Sequence, residues 1–186
     1  MALIVDEIVR LYRSKGSEWY GGEAVSQIEH ALQTATLAER EGASFSLVAA
    51  SFLHDVGHLL AHQAHEVAAD VDDAHQYTAL PFLRGAFSES VLAPIRLHVD
   101  AKRYLCVADQ RYANELSQAS KHSLEMQGGM FTSDEAERFL ALPYAHDAIS
   151  LRLWDDRAKT PGAPTPDLEY FAQLLRGLAL TPVATA

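Results

Sequence analysis

Residues Ala49-Ala50-Ser51-Phe52-Leu53-His54-Asp55-Val56-Gly57-His58 carry an apolar run into an imidazole and a carboxylate standing side by side. On a helix His54 and His58 are four apart and share a face, with Asp55 about 100° round from His54. His54 and Asp55 can then project toward one site at the helix end, with His58 one turn further along. Upstream lies His30, in Gln27-Ile28-Glu29-His30-Ala31-Leu32; downstream lie His75, His98 and Asp155. Together these nitrogen and oxygen donors are enough for two metal ions. Imidazole and carboxylate suit iron, manganese or zinc, and the lack of thiolate argues against soft metals. A carboxylate has two donor oxygens, so Asp55 can bridge two ions.

The surrounding sequence is helical. Leu3, Ile4, Ile8, Leu11 and Tyr12 recur every three or four residues, the mark of one buried stripe. The same period returns from Ala24 to about Arg40, and residues 45 to 60 are more apolar, as a central buried helix requires. Further helices are expected over 74–84, 89–98, 100–106, 109–126, 134–141, 144–158 and 167–178. Gly21-Gly22 precedes the second helix, Gly42 ends it, and Gly128-Gly129 closes the long helix over 109–126. Pro161, Pro164 and Pro166 form a stiff connector before the last helix. No segment alternates long enough for a sheet. The expectation is one all-α domain over residues 1–186, irregular near 61–74, with a disordered tail at about 180–186.

Composition sets limits. A chain of 186 residues, 48% hydrophobic and 22% charged, can build a real core. Its formal charge of -10 argues against general nucleic-acid binding. A small anion can still bind where a lysine or a metal pair dominates the local field. Cys106 is the only cysteine, which excludes a disulfide framework or a Cys-rich metal site and reads as a small buried side chain. The N-terminus lacks the basic start of a signal peptide, and no apolar stretch nears the roughly 20 residues needed to cross a bilayer. A cytoplasmic protein without membrane partners fits best.

A lone histidine is usually a surface or satisfied core residue, and His62, His65, His122 and His146 are read that way. The ordered set of His30, His54-Asp55, His75, His98 and Asp155 is more specific. It resembles the HD-domain superfamily, a helical metal-dependent fold. By that resemblance the chain is a helical HD bundle in which His30, His54, Asp55 and Asp155 are the core ligands. His75 and His98 complete a second metal site, and Asp155 is preferred to Asp156 for the last position.

Four further segments narrow the resemblance: Tyr20-Gly21-Gly22-Glu23, His98 to Leu105, Ser120 to Gly129, and Trp154 to Lys159. Together they look like the HD-domain mixed-valent diiron oxygenases that cleave organophosphonates. The likeness runs from about Tyr20 to about Pro166. It implies two iron ions, Fe(II)/Fe(III), with O2 as co-substrate and a small organophosphonate as substrate. That substrate is 1-hydroxy-2-(trimethylammonio)ethylphosphonate or 2-amino-1-hydroxyethylphosphonate, and the products are phosphate with glycine betaine or glycine.

In the resembled enzymes the tyrosine, here Tyr20, occupies an iron position until substrate arrives. The glutamate, here Glu23, then engages the amino end, so the resemblance gives both a catalytic role. Lys102, four residues after His98, with Ser120, Ser123 and His58, forms a suitable clamp for a phosphonate. Taken alone, the two serines read as solvated helix surface, and Lys102 reads equally as a solvated charge. Trp19, Tyr20 and Tyr77, with Asp70, Asp72 and Asp73, lean the choice of substrate toward the trimethylated cation. The main alternative is a two-metal phosphohydrolase acting on a nucleotide or phosphomonoester. A polyol-cleaving diiron oxygenase and an inactive metal-binding module are the others.

Overall fold

The computed structural model describes residues 4–20, 22–61 and 75–180, without the side chains of residues 61, 75 and 76. The described residues form eleven α-helices and no strand: α1 (Val5–Lys15), α2 (Gln27–Arg40), α3 (Phe45–Leu53), α4 (Val56–Ala61), α5 (His75–Leu83), α6 (Glu89–Ala108), α7 (Gln110–Glu115), α8 (Gln118–Met126), α9 (Ser133–Leu140), α10 (Ala145–Arg157) and α11 (Leu168–Leu178). Two isolated bridges, Trp19 with Ser26 and Arg84 with Phe87, are the only extended pairings among them. The protein is all-α, as its periodicity predicts. The expected tail lies, from residue 181 on, outside the described residues, as does nearly all of the expected irregular stretch.

Local chemistry starts the helices where they start. At α2, Ser26 accepts from the Glu29 amide while the Glu29 carboxylate accepts from the Ser26 amide at 2.8 Å, a reciprocal cap. Thr132 and Glu135 repeat the device at α9, and Asp167 caps α11. Each such cap stabilises its helix by about 1 kcal/mol. Gly16 ends α1 where that helix meets α2. A Cβ there would lie 2.3 Å from the Tyr12 carbonyl oxygen and 2.9 Å from the Ile28 Cβ, so only glycine permits the close approach.

The main core joins α1, α2, α3, α4, α5, α6, α10 and α11. Phe52 of α3 lies between Tyr12 of α1 and Phe171 of α11, at ring separations of 4.8 and 5.6 Å. The Tyr12 hydroxyl donates to the Phe52 carbonyl at 2.9 Å. A buried aromatic of this kind contributes about 1.5–3 kcal/mol. A smaller cluster of Leu97, Ala101, Phe139, Ala145 and Ala148 fastens α6, α9 and α10 together. α6 packs along α10, and α3 packs on α2 and α6. These helices bring residues from distant parts of the chain to one interior point.

Three boundaries differ from expectation. The run over 45–60 is two helices: α3 ends at Leu53, His54 caps it, and α4 starts at Val56. His54 and His58 therefore do not share one helix face. The expected helices over 89–98 and 100–106 are a single helix, α6, because nothing between them interrupts the backbone hydrogen bonding. The segment 109–126 is divided at Leu116, whose extended ψ of 138° ends α7, and Ser117 caps α8. No described helix is long and apolar enough to cross a membrane.

Candidate metal centre

The break at His54–Asp55 turns two consecutive side chains toward the same point. Nε2 of His54 lies 3.2 Å from Oδ2 of Asp55 and 3.3 Å from Nε2 of His30. Oδ1 of Asp155, from the end of α10, lies 3.3 Å from the same nitrogen of His30. His30, His54 and Asp155 each offer a ligand atom, all within 4.8 Å of one another. The other oxygen of Asp55 faces away, 3.7 Å from Nε2 of His98 and 4.0 Å from Nε2 of His58. One carboxylate thus stands between two groups of imidazoles. His30, His54, Asp55, His98 and Asp155 are all buried.

Second contacts fix the rings. Nδ1 of His30 is 3.0 Å from the Ala158 carbonyl, Nδ1 of His54 is 2.9 Å from the Ser51 carbonyl, and Nδ1 of His98 is 2.7 Å from the Ile95 carbonyl. A carbonyl only accepts, so each Nδ1 carries a proton and each ring turns its Nε2 inward. The interior is then lined by imidazole nitrogens and carboxylate oxygens, and Oδ1 of Asp155 is buried without a well-formed hydrogen bond. Acceptors this close repel one another unless a proton or a cation lies between them. The donor set fits a metal ion.

The charges agree with that reading. Burial by itself lowers the His54 imidazole pKa, but Asp55 and Asp155 outweigh it and push the value up to about 9. Burial raises the Asp155 carboxyl, yet Arg152, with His30 and His54, holds it well below the usual carboxylate range. Arg152 is buried on α10 and places Nη1 2.9 Å from Asp155, one turn along the helix. Its other nitrogens bind Asp156, whose Oδ2 also accepts from the Tyr112 hydroxyl at 2.6 Å. Asp156 is therefore occupied by Arg152 and Tyr112, while Asp155 faces the histidines.

Tyr20 stacks on His30 with ring centroids 3.8 Å apart. Burial first, then the charges of Asp155 and Asp55, hold its phenol well above the ordinary tyrosine value, so it stays protonated. The loop carrying it is tightly closed. The Tyr20 amide donates to the Val25 carbonyl at 3.0 Å, the Glu23 amide to the Tyr20 carbonyl at 2.7 Å, and Gly22 turns the chain at φ 81°. Glu23 accepts from the Ser117 hydroxyl at 2.7 Å and from Lys159 at 2.9 Å.

Lys102, one turn after His98 on α6, is buried and donates to the Ser123 hydroxyl at 2.7 Å. Ser120, also buried, lies 3.4 Å from Lys159 through its hydroxyl. Lys102 and Ser120 are therefore interior groups, not solvated surface, and Ser123 is partly buried. His122 and His146 are exposed, and Cys106 is buried with its thiol pKa raised by burial. His75 begins α5, but its side chain, like His62, His65, Asp70, Asp72 and Asp73, falls outside the described residues. Of the three aromatics, Tyr20 is at the cluster, whereas Trp19 and Tyr77 are exposed.

Arg152 and Ser117 lie in the site region although no sequence motif singled them out, and Lys159, the last residue of the Trp154–Lys159 segment, was given no role there. Arg152 sits three before Asp155 on a helix, a spacing that pairs charges. Ser117 has the residue type of a helix cap. Nothing in its segment marks Lys159 as a partner of Glu23, because the non-helical turn after α10 brings the two together. That turn is pinned to α2 by Gln33, which donates to the Thr160 carbonyl at 2.9 Å and accepts from its amide at 3.1 Å.

An all-α bundle with a buried, acceptor-rich histidine–aspartate cluster defines a helical protein with an interior group that could hold a metal ion. The chain matches no protein-family model. It is 41% identical over 171 residues to a hydroxymethylphosphonate dioxygenase of Gimesia maris, covering 90% of this chain and 84% of that one. It is 35% identical over 174 residues to the glycine-betaine-forming [1-hydroxy-2-(trimethylamino)ethyl]phosphonate dioxygenase of Leisingera caerulea, covering 93% and 89%. An uncharacterized mimivirus protein, L432, is 31% identical over 179 residues. The chain belongs to the phosphonate dioxygenase family and is an oxygenase.

Proposed function

We propose that this protein uses O2 to cleave the carbon–phosphorus bond of a phosphonate bearing a hydroxyl on the carbon attached to phosphorus. That hydroxyl is common to the substrates in both relatives' names; what else the carbon carries differs. The reaction balances with one O2 and no added reductant. A 1-hydroxyphosphonate dianion and O2 give a carboxylate, hydrogen phosphate and one proton. With a trimethylammonio arm the carboxylate is glycine betaine; with none it is formate.

The observation that carries the reading is that an imidazole facing Asp55 and a buried lysine lie one turn apart on one helix. His98 faces Asp55 from α6, and Lys102, one turn on, binds Ser123 in the interior. Two iron ions at mixed valence, held by His30, His54, Asp55, His75, His98 and Asp155, would supply O2 activation that zinc or magnesium does not. Asp55 would bridge them through its two oxygens. Lys102, Ser120, Ser123 and His58 would hold the phosphonate by charge and hydrogen bonds and so orient the C1 hydroxyl toward the cluster. Burial of Lys102 and Ser120 would strengthen their polar contacts with the phosphonate. Tyr20, over His30, would shield the cluster before substrate enters.

The test is phosphate release from a 1-hydroxyphosphonate by iron-loaded protein, in air and under argon. Release in air alone is the expected result. Equal release under argon would point instead to hydrolysis at the same cluster.

A further inference from the structure

Glu23 is held by a lysine of this same chain. Its Oε1 accepts from Lys159 Nζ at 2.9 Å and from the Ser117 hydroxyl at 2.7 Å, and both side chains of the ion pair are largely buried, at 18% and 15% exposure. Lys159 Nζ also lies 5.9 Å from the centre of the Tyr20 ring, which itself stacks on His30. The pair is thus one ring removed from the candidate metal centre. Burial raises the Glu23 carboxyl, but Ser117 and Lys159 overcome this and keep it ionised. A bare carboxylate here would attract a cationic group on a substrate; one already bonded to an ammonium offers it far less.

We propose that Lys159 is a specificity-determining residue: by neutralising Glu23 it sets how well the site accepts a phosphonate with a cationic arm relative to one without. The inference rests on the proposed reading of the substrate as a 1-hydroxyphosphonate. A cationic arm reaching Glu23 must displace the Lys159 ammonium, and the displaced ammonium then opposes it. A substrate with hydrogen in place of the arm leaves the Glu23–Lys159 pair undisturbed. Lys159 also comes within 3.4 Å of the Ser120 hydroxyl, so a direct grip on the phosphonate is the rival role.

Binding under argon separates these roles without turnover. Iron-loaded wild type, Lys159→Met, Lys159→Arg, Glu23→Gln and the double variant E23Q/K159M are titrated calorimetrically with hydroxymethylphosphonate and with 1-hydroxy-2-(trimethylammonio)ethylphosphonate. Lys159→Met should shift the ratio of dissociation constants about tenfold toward the cationic ligand, the scale of one charge-assisted contact. Glu23→Gln, which leaves the lysine alone, should shift it the opposite way. The double variant should fall between them, and Lys159→Arg should stay near wild type. Equal weakening of both ligands in Lys159→Met would show that Lys159 grips the phosphonate and overturn the proposal, as would an unmoved ratio. Should Lys159→Met not fold, the opposite shift in Glu23→Gln decides. Oxygen-dependent phosphate release by wild type, measured separately, tests the substrate reading. Binding of neither ligand would sink both.

Discussion

Oδ1 of Asp55 lies 3.7 Å from Nε2 of His98, while the other oxygen of that carboxylate lies 3.2 Å from Nε2 of His54. In the proposed two-iron centre Asp55 would serve both ions and His98 one. His98→Ala should lower bound iron by about half, because the His30–His54–Asp155 group is left intact. Asp55→Asn should lose more, since it weakens both. Metal analysis of the purified variants checks this; unchanged iron in Asp55→Asn would contradict it.

Arg152 supports Asp155 through a buried contact of 2.9 Å, and Asp156 and Tyr112 hold Arg152 in turn. Removing one partner of a buried pair leaves a charge without compensation, which typically costs about 3–5 kcal/mol. Arg152→Met should destabilise the metal-free protein by an amount of that order, read from urea unfolding. Arg152→Lys should recover part of it. Added iron should narrow the gap, because it supplies the missing positive charge to Asp155.

The pH dependence of metal binding follows from His54. In metal-free protein its pKa, raised from 6.5 to about 9, means that the ring is protonated at neutral pH. Stability from this proton is fully present below pH 6.5 and is lost as pH rises through about 9. Asp155, held low, contributes in the opposite sense, with stability that is lost as pH falls through its depressed value. A metal ion must displace the His54 proton, so affinity should rise with pH and about one proton should be released from this site on binding. Titration in buffers of different ionisation enthalpy measures that release. Binding without it, at neutral pH, would contradict the assignment.

Lys102→Met removes the buried ammonium but none of the proposed metal ligands. It should weaken phosphonate binding by about a hundredfold, in keeping with loss of charge-assisted contacts to a dianion. Iron content should not change. Loss of iron in this variant would mean that Lys102 supports the metal site instead.

Much of this was legible in the sequence, because helical periodicity is local and the histidine–aspartate order is unusual. His30, His54, Asp55, His98 and Asp155 come from distant parts of the chain and do meet. The missing parts depend on tertiary geometry. Nothing in the apolar run over 45–60 marks the break at His54–Asp55, since the hydrophobic pattern continues through Val56 and Leu59. Ser117 reads as a surface residue of a long helix until the chain turns at Leu116. Lys159 reaches Glu23 only because Gln33 pins the turn after α10, a contact spanning most of the sequence. The Lys102–Ser123 contact likewise joins α6 to α8, which no spacing along α6 reveals.

In the proposed reaction molecular oxygen enters the bond-breaking step. Turnover of a 1-hydroxyphosphonate under 18O2, followed by mass spectrometry of the carboxylate product, tests it most directly. The expected product is a carboxylate heavier by one labelled oxygen. Phosphate formed with no label in the organic product, at the same rate under argon, would contradict it.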